Sequence, residues 1–72
     1  MKKKILIEGM SCNHCVKHVR EALSDFNVVT NVEVNLEDKY AILESGAEVE
    51  DKDIKAAIDD AGYEVAGIEV LQ

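Results

Sequence analysis

Residues 3–26 read KKILIEGMSCNHCVKHVREALSDF, and two periodicities meet within them. Lys3 to Glu8 is a short β-branched and aliphatic run that stops at Gly9, which predicts a strand. From about His14 the apolar residues Val16, Val19, Leu23 and Phe26 recur at spacings of three, four and three, the signature of one buried helix face. Cys15 and Ala22 lie along the edges of that face. Gly9 to Asn13 forms the connecting loop, with Ser11 or Asn13 placed to cap the helix. The helix is expected to stop near Asp25 to Asn27.

Further along, the pattern changes to alternation. Val32, Val34 and Leu36 point one way and Glu33 and Asn35 the other, as in a strand buried on one face. Glu37-Asp38 reads as a tight turn. Lys39 to Glu44 returns as a second strand, with Tyr40 and Ile42 on one face and Ala41 and Leu43 on the other, and Ser45-Gly46 ends the hairpin. Glu50 to Ala61 has Ile54, Ala57, Ile58 and Ala61 at i, i+3, i+4 and i+7, a second amphipathic helix. Acidic Glu50, Asp51 and Asp53 suit its N-terminus, and Gly62 its C-terminal cap. Tyr63 to Val70 is the last strand, with an interruption expected at Gly67. The order β-α-β-β-α-β predicts an α+β, ferredoxin-like sandwich: a four-stranded antiparallel sheet with two helices on one face.

A chain of 72 residues makes a single domain, residues 1–72, because so short a chain buries only about 60% of its unfolded surface. With 47% apolar residues, no Trp and one Phe, the core must be aliphatic. A core that small leaves little room for a deep substrate pocket, and an enzyme is not expected. The net charge of −7 argues against nucleic acid or an anionic membrane as partner. Lys2-Lys3-Lys4 is the only basic run and reads as a solvated tail before the first strand. The apolar stretch after it is too short for a signal peptide or a membrane span, so a cytoplasmic protein without membrane insertion is expected.

Two cysteines only three positions apart are poor candidates for a structural disulfide. Cys12 falls in the loop and Cys15 in the first helical turn, where unpaired N–H groups and the helix dipole stabilise thiolates. No acid lies between Gly9 and Arg20, whereas Lys17 and Arg20 are cationic. Two thiolates without a hard oxygen donor suit a soft ion such as Cu(I), and the nearby positive charge offsets the anionic site. Structural zinc would need four ligands, for which His14 and His18 are the only further candidates, and His14 diverges from its neighbour Cys15. A thioredoxin-type redox pair is another reading, though it belongs on a larger fold.

Gly9-Met10-Ser11-Cys12-Asn13-His14-Cys15, placed after a first strand and opening a helix, resembles the Gly-Met-x-Cys-x-x-Cys loop of the heavy-metal-associated domain family. The likeness runs along the whole chain and includes Gly62-Tyr63 after the second helix. Within the family, Met-Ser-Cys-Asn-His-Cys is most similar to the bacterial copper-chaperone form. The resemblance implies Cys12 and Cys15 as metal ligands, Met10 as a buried support for the loop, and Tyr63 beside the thiolates. His14 would stand exposed next to the ion. Zinc- and cadmium-selective relatives often carry Asp where this chain has Ser11, which again favours Cu(I). The resemblance further implies a P-type copper-transporting ATPase, through its metal-binding domain, as the acceptor. A monomer is expected, and because exposed thiolates can share a metal between two chains, Cu(I) can bridge it into a dimer. Other members are ATPase domains themselves or bind mercury, zinc or cadmium, but a chain that starts with Met and ends just after its last strand is expected to be a free carrier.

The charges are distributed unevenly. Residues 44–64 carry eight acids against Lys52 and Lys55, while Cys12 to Arg20 carries two bases and no acid. A basic or neutral face around the metal loop and first helix, opposite an acidic helix, is therefore expected. Lys17 and Arg20 would steer docking onto an acidic partner.

Overall fold

The computed structural model describes residues 1–72. Six elements follow in order: β1 (Lys2–Glu8), α1 (Asn13–Ser24), β2 (Val29–Asn35), β3 (Tyr40–Ser45), α2 (Asp51–Asp60) and β4 (Glu64–Val70). The strands form one antiparallel sheet in the order β2-β3-β1-β4. Both helices lie on one face of it, the ferredoxin-like arrangement, and no helix is long and apolar enough to cross a membrane.

The alternation of the strands decides which side chains meet the helices. Ile5 and Ile7 of β1 and Ala41 and Leu43 of β3 point inward and are fully buried with Val19 and Leu23 of α1 and Ile54 and Ile58 of α2. Each large aliphatic side chain buried in this way contributes about 1.5–3 kcal/mol. Val32 and Val34 point the same way but stay half-buried, because β2 is an edge strand with a neighbour on one side only.

Three expectations need correction. The α1 N-cap is Cys12, in extended conformation, and it makes no side-chain cap hydrogen bond; Asn13 is already the first helical residue and Ser11 lies before the cap. Strand β4 is not interrupted at Gly67, which pairs with Leu6. The register slips just beyond it, where Ile7 pairs with Val65, so Ala66 is the extra residue of a bulge. The third correction concerns the lysine run. It is not a solvated tail, for all three lysines belong to β1.

Each lysine is engaged differently. Lys2 pairs with Glu44 at 3.5 Å, and Lys4 stands 4.6 Å from the centre of the Tyr40 ring on the face without helices. Lys3 points inward with Ile5 and Ile7, and its residue is only 3% exposed. Its ammonium donates to the Val49 carbonyl at 2.8 Å and to Asp51 Oδ1 at 2.7 Å, which ties the start of α2 to β1. At the same end of the sheet Lys2 N–H donates to the Gln72 carbonyl and Leu71 N–H to the Lys2 carbonyl, so the chain termini lie side by side, away from Gly9.

Removing a partner from a buried charge is costlier than removing the pair. Lys3→Ala, which deletes the ammonium and its stem, is expected to lower stability in urea unfolding by about 2–4 kcal/mol. Lys3→Met keeps the stem packed and should lose less, about 1–2 kcal/mol. A change below about 0.5 kcal/mol for both would show that the tie is not structural.

Candidate metal centre

The loop between β1 and α1 is held from beneath and left open above. Gly9 turns the chain out of β1 with φ +90°, a conformation that disfavours side chains, and its α-carbon faces the Tyr63 ring. Met10 is buried in the core at 2% exposure, whereas Ser11, Cys12, Asn13 and His14 are exposed and Cys15 is half-buried. The loop is thus pinned at Met10, and the following residues project into solvent at the helix end.

The two sulfurs lie 3.4 Å apart as free thiols. With no acid in the first turn and no side-chain cap, the helix end keeps its N–H groups for the thiolates. The Cys15 thiol is lowered to about 6, chiefly by a hydrogen bond from the Ser11 backbone, then by the Tyr63 hydroxyl and the Cys12 thiol, with burial opposing them and the Cys12 backbone adding a smaller contribution. Cys15 is therefore largely a thiolate at neutral pH. The same contact acts in reverse on Tyr63, pushed up to about 12 because its proton is held by Cys15, with burial and the charge of both cysteines adding to the effect.

Tyr63 arrives at this position through the end of α2. Ala61 is the C-cap, Gly62 has φ +96°, Gly62 N–H donates to the Asp59 carbonyl and Tyr63 N–H to the Ile58 carbonyl. This is a Schellman closure, in which the glycine reverses the chain and fixes the direction of the next side chain. The Tyr63 hydroxyl also lies 3.4 Å from His18 Nδ1 on α1. The sequence alone offers His18 a place only as a zinc ligand. Its i+3 spacing from Cys15 is the signal that both share one helix face.

No group of three or more His, Cys, Asp or Glu converges anywhere in the molecule to hold a metal. What the arrangement supplies is two soft donors at an exposed junction, which suits a thiophilic ion of low coordination number. Lys17 and Arg20 are both exposed on α1. The surroundings are less uniformly basic than the linear charge pattern suggests. Glu8, Asp59 and Glu64 line a depression with Gly9, Gly62 and Tyr63, so the side of the loop facing α2 and β4 is acidic. Those three carboxylates come from three separate elements and are invisible to a count along the chain.

A pH profile tests the state of the sulfur. Alkylation of metal-free Cys15, followed peptide by peptide, should rise with a midpoint near pH 6, and Tyr63→Phe should move the midpoint up. Because the folded value lies below the ordinary thiol value of 9.0, the stability this group contributes is complete above that value and is lost as pH falls through about 6. An ordinary thiol midpoint would contradict the lowering of the Cys15 thiol by its Ser11, Tyr63 and Cys12 surroundings.

The sequence pattern of the heavy-metal-associated domain family matches residues 4–64. The copper chaperone CopZ of Bacillus subtilis (strain 168) is 45% identical over 65 residues, spanning 89% of this chain and 94% of that protein. Among solved structures, a CopZ metallochaperone superposes with a TM-score of 0.85 at 36% identity, covering 92% of this chain and 100% of the other. A copper binding domain from HMA7, a P-type ATPase, superposes with a TM-score of 0.80 at 34% identity, covering 100% of this chain and 96% of that domain. Motif, topology and matched length agree, and the chain belongs to the heavy-metal-associated domain family.

Proposed function

We propose that this protein is a Cu(I) carrier that holds its cargo between Cys12 and Cys15 and passes it on by thiolate exchange, without catalysing a chemical conversion. The observation that carries the proposal is the pair of free sulfurs 3.4 Å apart on an exposed helix end, with no third donor gathered around them. Two thiolates satisfy a monovalent soft ion, while Zn(II) and Cd(II) favour more ligands and harder ones. Ser11, in the position before Cys12, adds no carboxylate. The similarity to CopZ supports copper as the cargo.

Exposure makes exchange feasible. An ion on two solvent-facing sulfurs leaves room for an incoming thiolate, so transfer proceeds through a three-coordinate intermediate in which one bond forms before another breaks. A site in which Cys15 is already a thiolate also releases fewer protons on loading than one built from two thiols. The acceptor we infer is the metal-binding domain of a P-type copper ATPase, supported by the likeness to the HMA7 domain. That likeness equally favours a second reading, in which the chain is such a domain within a transporter; the complete reading frame distinguishes the two.

Titration against a colorimetric Cu(I) chelator tests the ligands. The unaltered protein should bind one Cu(I), and Cys12→Ser or Cys15→Ser should lose the competition altogether. Tight binding by both single variants would overturn the two-thiolate site. Docking is tested separately. Lys17→Glu combined with Arg20→Glu should slow transfer to an acidic acceptor domain by about tenfold at low salt while leaving Cu(I) affinity unchanged.

A further inference from the structure

The sheet has two free edges, β2 and β4, and they are not equivalent. Along a free edge every second residue turns its N–H and C=O to solvent, a template for another extended chain. β4 is broken near its middle by the bulge at Ala66. β2 carries its bulge near its start, at Thr30, because Val29 pairs with Ser45 and Asn31 already with Glu44; from Asn31 to Asn35 its pairing with β3 is regular. The same stretch lines an open groove, from Val32 to Leu36, with Arg20 of α1 and Tyr40 of β3 as its other walls. Alternation puts the half-buried Val32 and Val34 on the helix side with Arg20, and Glu33 on the opposite face. The strand therefore separates the groove's own carboxylate from its guanidinium. The three ion pairs of the chain are Lys2 with Glu44, Lys3 with Asp51 and Lys52 with Glu50, and Arg20 belongs to none of them.

We propose that the outer edge of β2 is a docking site for an extended, acidic segment of a partner protein, which adds as a further strand along Asn31 to Asn35 and places a carboxylate on Arg20. Two independent observations choose that occupant. The free backbone groups of β2 match a chain in extended conformation, which a helix cannot supply. The guanidinium without an internal partner matches a carboxylate, which it can hold with two parallel N–H donors. Val32 and Val34 then offer apolar contact to the residues two places before and after the acid, since alternate residues of a strand share a face. The proposal rests on the reading of Arg20 as a docking residue and adds where, and in what conformation, its partner lies. Arg20 stands about two turns along α1 from Asn13, so the contact is on the flank and not at the sulfurs. A partner held there by one segment keeps the rest of itself free to reach Cys12 and Cys15.

The probe is the capped peptide Thr-Val-Thr-Glu-Thr-Val-Thr, whose acid and two valines share one face, titrated into the metal-free protein and followed by proton–nitrogen NMR. Shifts should gather at residues 31–36 and at the Arg20 side-chain Nε–H. A peptide with Gln in place of its Glu should bind about fivefold more weakly, and that difference should vanish in Arg20→Gln. Methylating alternate peptide nitrogens tests the pairing: the set that faces β2 should abolish binding, and the other set should leave it intact. Absence of binding, shifts gathered on another surface, a Gln peptide that binds equally well, a difference that survives Arg20→Gln, or tolerance of both methylated sets overturns the proposal. The peptide arm uses neither copper nor acceptor. Transfer left unslowed by Lys17→Glu with Arg20→Glu would therefore refute steering alone, and missing peptide binding beside slowed transfer refutes the groove alone.

Discussion

The N-terminus of α1 is left without a side-chain cap, and the site depends on that omission. A Ser, Thr or Asp at the cap would turn its oxygen onto the free N–H groups of the first turn. Cys12 occupies the position without making that bond, and the Ser11 and Cys12 backbones just ahead of the first turn lower the Cys15 thiol. The helix gives up about 1 kcal/mol of capping energy. That deficit is tolerable only because the helix is held elsewhere, by Val19 and Leu23 in the core and by Met10 just ahead of it.

Anchoring and exposure are thus adjacent and opposite. Met10 is sealed in the interior, and two residues later Cys12 faces water. A more buried pair of sulfurs would bind a soft ion well but exclude a partner's thiolate. A looser loop would admit the partner but lose the spacing of the two sulfurs. Gly9 on one side and the Gly62 reversal on the other bring Tyr63 against this loop, so the ends of β1 and α2 brace one another over the sheet.

Periodicity is legible in the sequence and long-range partnership is not. The helix faces of Val19 with Leu23 and Ile54 with Ile58, and the inward rows of β1 and β3, are local patterns that the structure reproduces within a residue or two. Lys3 escapes a local reading because a run of three like charges looks solvated. Alternation in a strand sends its middle member inward, and its acceptors lie 46 and 48 positions away. The same holds at the site: Cys12 and Cys15 are legible from spacing, but the link from His18 to Tyr63 spans 45 positions and has no local signature. The acidic flank of Glu8, Asp59 and Glu64 exists only once three elements meet.

The pairing of Lys2 with Gln72 and Leu71 has a consequence for how such a unit can be deployed. Entry and exit of the polypeptide share one pole, and the sulfurs occupy the other. A leash attached at either terminus would leave the sulfur end unobstructed, so identical units can be threaded on one polypeptide like beads or drift singly, with no change to the loop that carries the two cysteines. Evolution can therefore alter the tether and the cysteine loop independently.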